Sequence, residues 1–379
     1  MSRFRHSLSG LFLAAAALSS PADAAGRCTN ASGPRCFAQL KSGIRMAYVE
    51  IGPARGRPVI FLHGLADSAR SWWPTMQALH RMAPSLHLIA VDQRGHGQSS
   101  MPAGASCPAD PKSCFRMPYF AQDLSDFMTV RGIRRATIAG HSMGSVIAQD
   151  FALDHPGRTE RLILVATTDR AVGNPFLRDQ VLNEPVKGAW TKALRAKGRG
   201  SPAALWSATA ADAQPGAVGW MKRNWVFDPV ADARFLDAVA RDTARMRIGA
   251  LAGATEALLA ADNRARLRRL DTPTLVLWGR ADEIFRQTPD QSGIIAALRQ
   301  SRGAGRVPMF WKAYGEPGQR HRPEIGHSVQ WEAPAAVARD IWSFMRTGRP
   351  TTDHAYADMA SGRPVIRTRP GKAAIIEIR

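Results

Sequence analysis

Between residues 58 and 168 the chain alternates short uninterrupted apolar runs with longer stretches whose apolar positions recur every three or four residues. The runs "PVIFLHG" (58–64), "LHLIAVD" (86–92), "RATIAG" (135–140) and "RLILVAT" (161–167) have the pattern of strands buried on both faces. A helix is predicted from about Ala69 to Met82. Another spans "PYFAQDLSDFMTV", with Phe120, Leu124 and Phe127 or Met128 on one face. A third, "SVIAQDFALDH", is stopped by Pro156. Ahead of these, "RCFAQL" and "IRMAYVEIG" flank Lys41-Ser42-Gly43 and predict an antiparallel hairpin. Buried strands alternating with helices predict an α/β fold with a mostly parallel sheet covered on both faces.

After Thr168 the pattern changes. Residues 169 to about 265 hold helical stretches and four tryptophans (Trp190, Trp206, Trp220, Trp225) but no clear buried strand. The sheet resumes with "TPTLVLWG" (272–279), and "VPMFWKAY" is expected to be the last core strand. "APAAVARDIWSFM" reads as a closing helix with Val337, Ile341 and Phe344 or Met345 inward. The expected organisation is a core in two parts, 25–168 and 266–348, with a helical insertion, 169–265, between two strands. A tail follows over 349–379, where "KAAIIEI" is either an extra strand or a docked terminus.

Composition narrows this little. At 379 residues and 45% hydrophobic, the chain can fill one large core or two modest ones. The formal net charge of +20 is spread along the chain without a nucleic-acid-binding signature, so a basic solvated surface is expected and a nucleic-acid partner is not. The first 24 residues read as a signal peptide: Arg3 and Arg5, the run "LSGLFLAAAALSS", then Ala22-Asp23-Ala24. Cleavage is expected near Ala24/Ala25, with export to the periplasm or medium. No other run approaches about 18 apolar residues, so no integral membrane segment is expected. Four cysteines, Cys28, Cys36, Cys107 and Cys114, then favour disulfides. Three pairings are open, and Cys28–Cys36 with Cys107–Cys114 closes the shortest loops.

The candidate chemistry lies in Gly140-His141-Ser142-Met143-Gly144, a G-x-S-x-G pattern between a strand and a helix. Such a turn lifts a serine hydroxyl off the sheet edge; the alternative is a plain tight turn. A serine needs a base. His327, in "GHSVQWEAP" ahead of the last helix, is expected to supply it, with His321 as fallback. The base needs a carboxylate. Asp282, just beyond a buried strand, is the first choice, Asp169 the runner-up, and Glu283 and Asp271 follow. The N–H of Met143 and that of Leu65, or else Ala66, are the expected oxyanion donors. Phe176, Leu177, Trp206, Trp220, Trp225 and Phe227 are candidates for an apolar pocket, weighed evenly against simple packing. No HExxH or dense ligand cluster suggests a metal, and no cofactor is expected.

From "VIFLHG" through "VDQRGHGQSS", "GHSMGS" and "LVLWGRAD" to "GHSVQWEAP", about residues 40–347, the chain resembles the α/β-hydrolase superfamily in its cap-bearing branch. The resemblance implies the fold, the order Ser142…Asp282…His327 and a cap over the pocket, but no single substrate. Members that open epoxides or remove halogens carry Asp at the nucleophile position, which Ser142 argues against. Hydrolysis of a small-molecule carboxylic ester is the expected activity. A lactonase or C–C-bond hydrolase on the same triad is the second reading, and a non-catalytic binding protein the third.

Overall fold

The computed structural model describes residues 28–29, 35–225, 232–317, 324–358 and 365–379; residues 1–24, where a signal peptide is expected, lie outside them. The predicted hairpin is present: β1 (Cys36–Gln39) pairs antiparallel with β2 (Arg45–Ile51), and Gly43 takes the left-handed turn position at φ 82°. Six parallel strands follow: β3 (Arg57–Leu62), β4 (Leu86–Val91), β5 (Ala136–His141), β6 (Thr159–Val165), β7 (Thr274–Gly279) and β8 (Met309–Tyr314). Every side chain of β4, β5, β7 and β8 is buried, which only layers on both faces can achieve.

Helix α1 (Trp73–Met82) covers one face. α2 (Pro111–Cys114) is a single turn inside the cysteine loop, and α3 (Met117–Val130) and α4 (Met143–Asp154) cover the other face. The expected inward residues of α3, Phe120, Leu124, Phe127 and Met128, are all buried. Between β6 and β7 the chain is helical: Phe176–Trp190, α5 (Thr191–Ala196), α6 (Pro202–Ser207), α7 (Ala210–Ala213), α8 (Ala217–Asn224), α9 (Ala233–Ala244) and α10 (Ile248–Leu258). Then come α11 (Ser292–Arg299), α12 (Val329–Glu332) and α13 (Pro334–Thr347). α13 opens on Pro334 and closes on Gly348 at φ 75°, and it packs beside α1 with Val337, Ile341, Phe344 and Met345 buried.

The sequence reading makes β8 the last core strand; the structure corrects it. β9 (His354–Asp358) and β10 (Val365–Arg369) form a separate ribbon, and β11 (Ala374–Glu377) pairs antiparallel outside β8, Ala374 opposite Ala313. The strand order is β1-β2-β4-β3-β5-β6-β7-β8-β11. An open β8 edge would leave unpaired backbone groups, and the short apolar run of the tail satisfies them. A buried polar knot anchors the same region. Lys312 Nζ donates to Asp340 Oδ1 (2.9 Å) and to the Thr351 carbonyl (2.8 Å), and Tyr314 donates to Asp340 Oδ2.

Cys28 is bonded to Cys36 and Cys107 to Cys114, with Cα separations of 5.3 and 5.7 Å. Among the described residues no helix is long and apolar enough to cross a membrane.

Candidate active site

Ser142 joins β5 to α4 at φ 52°, ψ −122°, a conformation that side-chain-bearing residues rarely adopt. Its neighbours show why the turn takes glycine on either side. A Cβ on Gly140 would stand 2.2 Å from the Gly144 carbonyl oxygen, and one on Gly144 would stand 2.4 Å from that of Leu62. The bend is pinned by the Ser142 N–H to the Val165 carbonyl (3.0 Å) and by Ser145 Oγ to the Ser142 carbonyl (2.6 Å).

His327 lies on the loop between β8 and α12, and Asp282 lies three residues past β7. Two loops from the same end of the parallel sheet bring them together: His327 Nδ1 is 2.9 Å from Asp282 Oδ1. The same oxygen accepts the N–H groups of Ile284 (2.9 Å) and Phe285 (3.0 Å), so it is oriented before the imidazole arrives. A carboxylate can only accept here, which puts a proton on Nδ1 and leaves Nε2 its lone pair. The loop is held from the other side by Glu332, which accepts from the N–H of Gly326 (2.6 Å) and of Ser328 (3.2 Å). Its close approach to β7 needs Gly279, where a Cβ would meet the Gly326 carbonyl oxygen at 2.1 Å. Ser142 and His327 line one cavity; among the described residues no hydrogen bond yet joins them.

The turn after β3 forms the wall opposite. A Cβ on Gly64 would lie 3.2 Å from Ser142 Cβ, so Leu65 enters beside the hydroxyl. Among the described residues neither the Leu65 nor the Met143 N–H donates to a protein acceptor. His63 shapes this turn. Its Nδ1 sits 2.8 Å from the Gly64 carbonyl, its Nε2 accepts the Gln93 N–H at 3.0 Å, and burial lowers its pKa to about 4. Ala66, at φ 61°, gives its carbonyl to Thr243 Oγ1 of α9 (2.8 Å), a direct tie between the turn and the insertion.

The cavity measures about 90 Å³. Phe176, Leu177, Val181, Trp225 and Val239 of the insertion line it, with Trp331 of α12. Two of the expected pocket residues are not on this wall. Trp206 packs on Phe115 and leaves no room for a Cβ on Gly249, while Trp220 sits against Trp190 and Trp225. Both indoles pack the insertion, because helix periodicity marks an apolar face without saying what it meets. Phe227 and His321 lie outside the described residues. Trp331, Gln93, Glu332 and Thr243 went unread in the sequence. Gln93 reaches His63, Thr243 reaches Ala66 and Trp331 reaches His141 across long stretches of chain, whereas Glu332 binds its own loop at Gly326 and Ser328; the local signal is the proximity of Trp331 and Glu332 to His327.

The other candidate acids stand elsewhere. Asp169 pairs with Arg264 at 2.6 Å, Asp271 faces Arg306 at 4.0 Å, and Glu283 is exposed. A larger groove of about 820 Å³ opens at the opposite end of the strands, lined by Arg131, Arg134 and Arg135. Volume alone would favour it, but it contains no nucleophile with a base.

Asp67 also lines the cavity, and burial raises its pKa from 3.8 to about 7 against the hydrogen bonds from Ser71 and Ser68. Between those two values the folded chain holds a proton that the unfolded chain has lost. Stability therefore falls as pH rises through that window, and the full penalty is present above about 7. Asp67→Asn is expected to raise the melting temperature at pH 8 and to leave it unchanged near pH 3, where both states are protonated. A thermal denaturation series over pH measures this; an equal gain at both ends would contradict it.

A family model described as the alpha/beta hydrolase fold matches residues 57–312. Epoxide hydrolase 2 of Caenorhabditis elegans is 29% identical over 147 residues, 39% of this chain and 37% of that protein. Epoxide hydrolase 3 of Mus musculus is 21% identical over 354 residues, covering 83% of this chain and 79% of that one. Among solved structures, a hydrolase from Pseudomonas aeruginosa PA01 superposes with a TM-score of 0.58 at 22% identity, over 83% of this chain and 99% of that chain.

Proposed function

The chain belongs to the alpha/beta hydrolase fold family, and from that premise we propose that it is a serine hydrolase acting on small carboxylic esters. One observation carries the reading. A serine on a strained strand-to-helix turn shares a cavity with a histidine whose far nitrogen is bonded to a buried carboxylate. The curated relatives include epoxide hydrolases, but opening an epoxide through an ester intermediate calls for a carboxylate nucleophile, and position 142 offers a hydroxyl.

Ser142 Oγ attacks the acyl carbonyl and passes its proton to His327 Nε2. The hydrogen bond between them closes as substrate fills the cavity, since such contacts are often loose without ligand. Asp282 holds the Nδ1 proton and stabilises the imidazolium. The developing oxyanion lies between the Leu65 and Met143 N–H groups. His327 then protonates the departing alcohol. In the second half, water loses a proton to His327 and attacks the acyl-enzyme; as the acid leaves, the imidazolium returns that proton to Ser142 Oγ. Side chains and backbone of this chain serve every step.

The helical insertion, residues 169–265, acts as a cap whose apolar residues take the acyl or alcohol group. Export after cleavage near Ala24/Ala25 belongs to the same reading, supported by the two disulfides.

Labelling by a fluorophosphonate, followed by turnover of nitrophenyl esters, lactones, vinylogous diketones and epoxides, tests the proposal. Absence of labelling that depends on Ser142 would sink it, and preference for a lactone or diketone would move the substrate class. Val181→Ala, which widens the acyl wall, is expected to raise the kcat/KM ratio of longer to shorter esters about tenfold per methylene accommodated. An unchanged chain-length profile would remove Val181 from that wall.

A further inference from the structure

The machinery proposed above gives no task to the buried titratable group beside the nucleophile. His141 precedes the nucleophile, is buried, and lines the same cavity as Ser142. Its Nε2 lies 3.0 Å from the main-chain carbonyl oxygen of His327. A carbonyl can only accept, so Nε2 carries the proton and Nδ1 the lone pair. Nδ1 is enclosed: among the described residues it has no hydrogen-bond partner, and a Cβ on Gly64 would come within 2.9 Å of it. A second proton there would find no acceptor. Around the ring stand His327 at 4.9 Å between centroids, Trp331 at 6.4 Å, and the His63 imidazole from the end of β3. None offers a negative charge, and burial with the two neighbouring imidazoles holds His141 far below the usual histidine range.

The anchors of the His327 loop divide the work. Glu332 takes the N–H groups of Gly326 and Ser328, and Asp282 takes the imidazole. The carbonyl of His327 itself is held by His141. We propose that His141 is a positioning residue: as a neutral donor it fixes the His327 main chain, and through it the imidazole, over Ser142. Neutrality is part of the task, because a charge at this distance would repel the imidazolium that His327 becomes in each half-reaction. The proposal rests on the serine-hydrolase reading.

Two variants of the full chain test it. His141→Phe keeps a ring and removes the donor; His141→Gln returns an amide N–H at the position of Nε2. The Phe variant is expected to lose about 10- to 100-fold in kcat with KM within about twofold, the size of a small misplacement of the base. The Gln variant should recover most of that loss. Melting temperatures of both identify the folded fraction. If the Phe variant does not fold, His141→Asn, whose amide stops short of the carbonyl, is the donor-free comparison.

A folded donor-free variant with wild-type kcat overturns the proposal. So does equal impairment of the Gln and donor-free variants. The downfield proton resonance of His327 Nδ1–H, which needs no turnover, should broaden through faster exchange in the donor-free variant and sharpen again with Gln. An unchanged resonance overturns the positioning role whatever the kinetics. Fluorophosphonate labelling of wild type keeps the two readings apart: an unlabelled Ser142 rejects the hydrolase reading and the catalytic purpose of His141 with it. A labelled Ser142 with indifferent variants rejects His141 alone.

Discussion

Ser142→Ala is expected to lower kcat on the best ester by about 10⁴- to 10⁶-fold while leaving the melting transition in place. The size follows from what is removed. Without Oγ there is no acyl-enzyme, and only cavity binding and the two N–H donors at Leu65 and Met143 remain to assist direct attack by water. Residual activity is therefore expected above the uncatalysed rate, without a pre-steady-state burst and without fluorophosphonate labelling. The fold should tolerate the change, because the bend is held by the backbone of Ser142 and by Ser145, not by the lost hydroxyl. A variant with near-normal turnover would show that position 142 is only a turn.

The second large effect concerns the carboxylate. Asp282→Ala removes the acceptor of three donors, the His327 Nδ1–H and the N–H groups of Ile284 and Phe285. The imidazole loses its orientation and its counter-charge together, and kcat should fall about 10⁴-fold. Asp282→Asn separates these contributions. The amide oxygen can occupy the place of Oδ1 and satisfy the same three donors, so orientation survives and only the charge is lost. Its activity should lie between those of Asp282→Ala and wild type. Asp169→Asn, which breaks the pair with Arg264 and leaves the His327–Asp282 contact in place, should leave kcat unaltered. Steady-state kinetics on the three variants decides the matter, and wild-type activity in Asp282→Asn together with loss in Asp169→Asn would exchange the two roles.

Strands that are buried on both faces declare themselves as apolar runs, so β3 to β8 and the turns at their ends were legible in the sequence. So were Ser142, Asp282 and His327 as candidates, because each sits within a few residues of such a run. What lay hidden depends on groups far apart in the chain. The Thr243 hydroxyl reaches Ala66 across 177 residues, and His141 reaches the His327 carbonyl across 186. No local pattern encodes such pairs. Trp206 and Trp220 failed as pocket candidates for a related reason: in a helical insertion packed on several sides, an aromatic can serve another helix as readily as a cavity. The tail run "KAAIIEI" reads as an extra strand or a docked terminus, but nothing local names the edge it joins, and the β8 backbone recruits it as β11.

The placement of the insertion between β6 and β7 also has a consequence in time. Leu162 pairs with Thr274, so the central sheet cannot close until more than a hundred further residues have been made. In a chain that emerges from its amino end, the bend carrying Ser142 is complete long before Asp282 and His327 exist. On the reading proposed above, the hydroxyl has no base until His327 is made, and reactivity is expected only when the second half docks. On the same reading, a nascent or truncated chain that stops short of β7 is expected to be without ester hydrolysis, whatever its degree of folding.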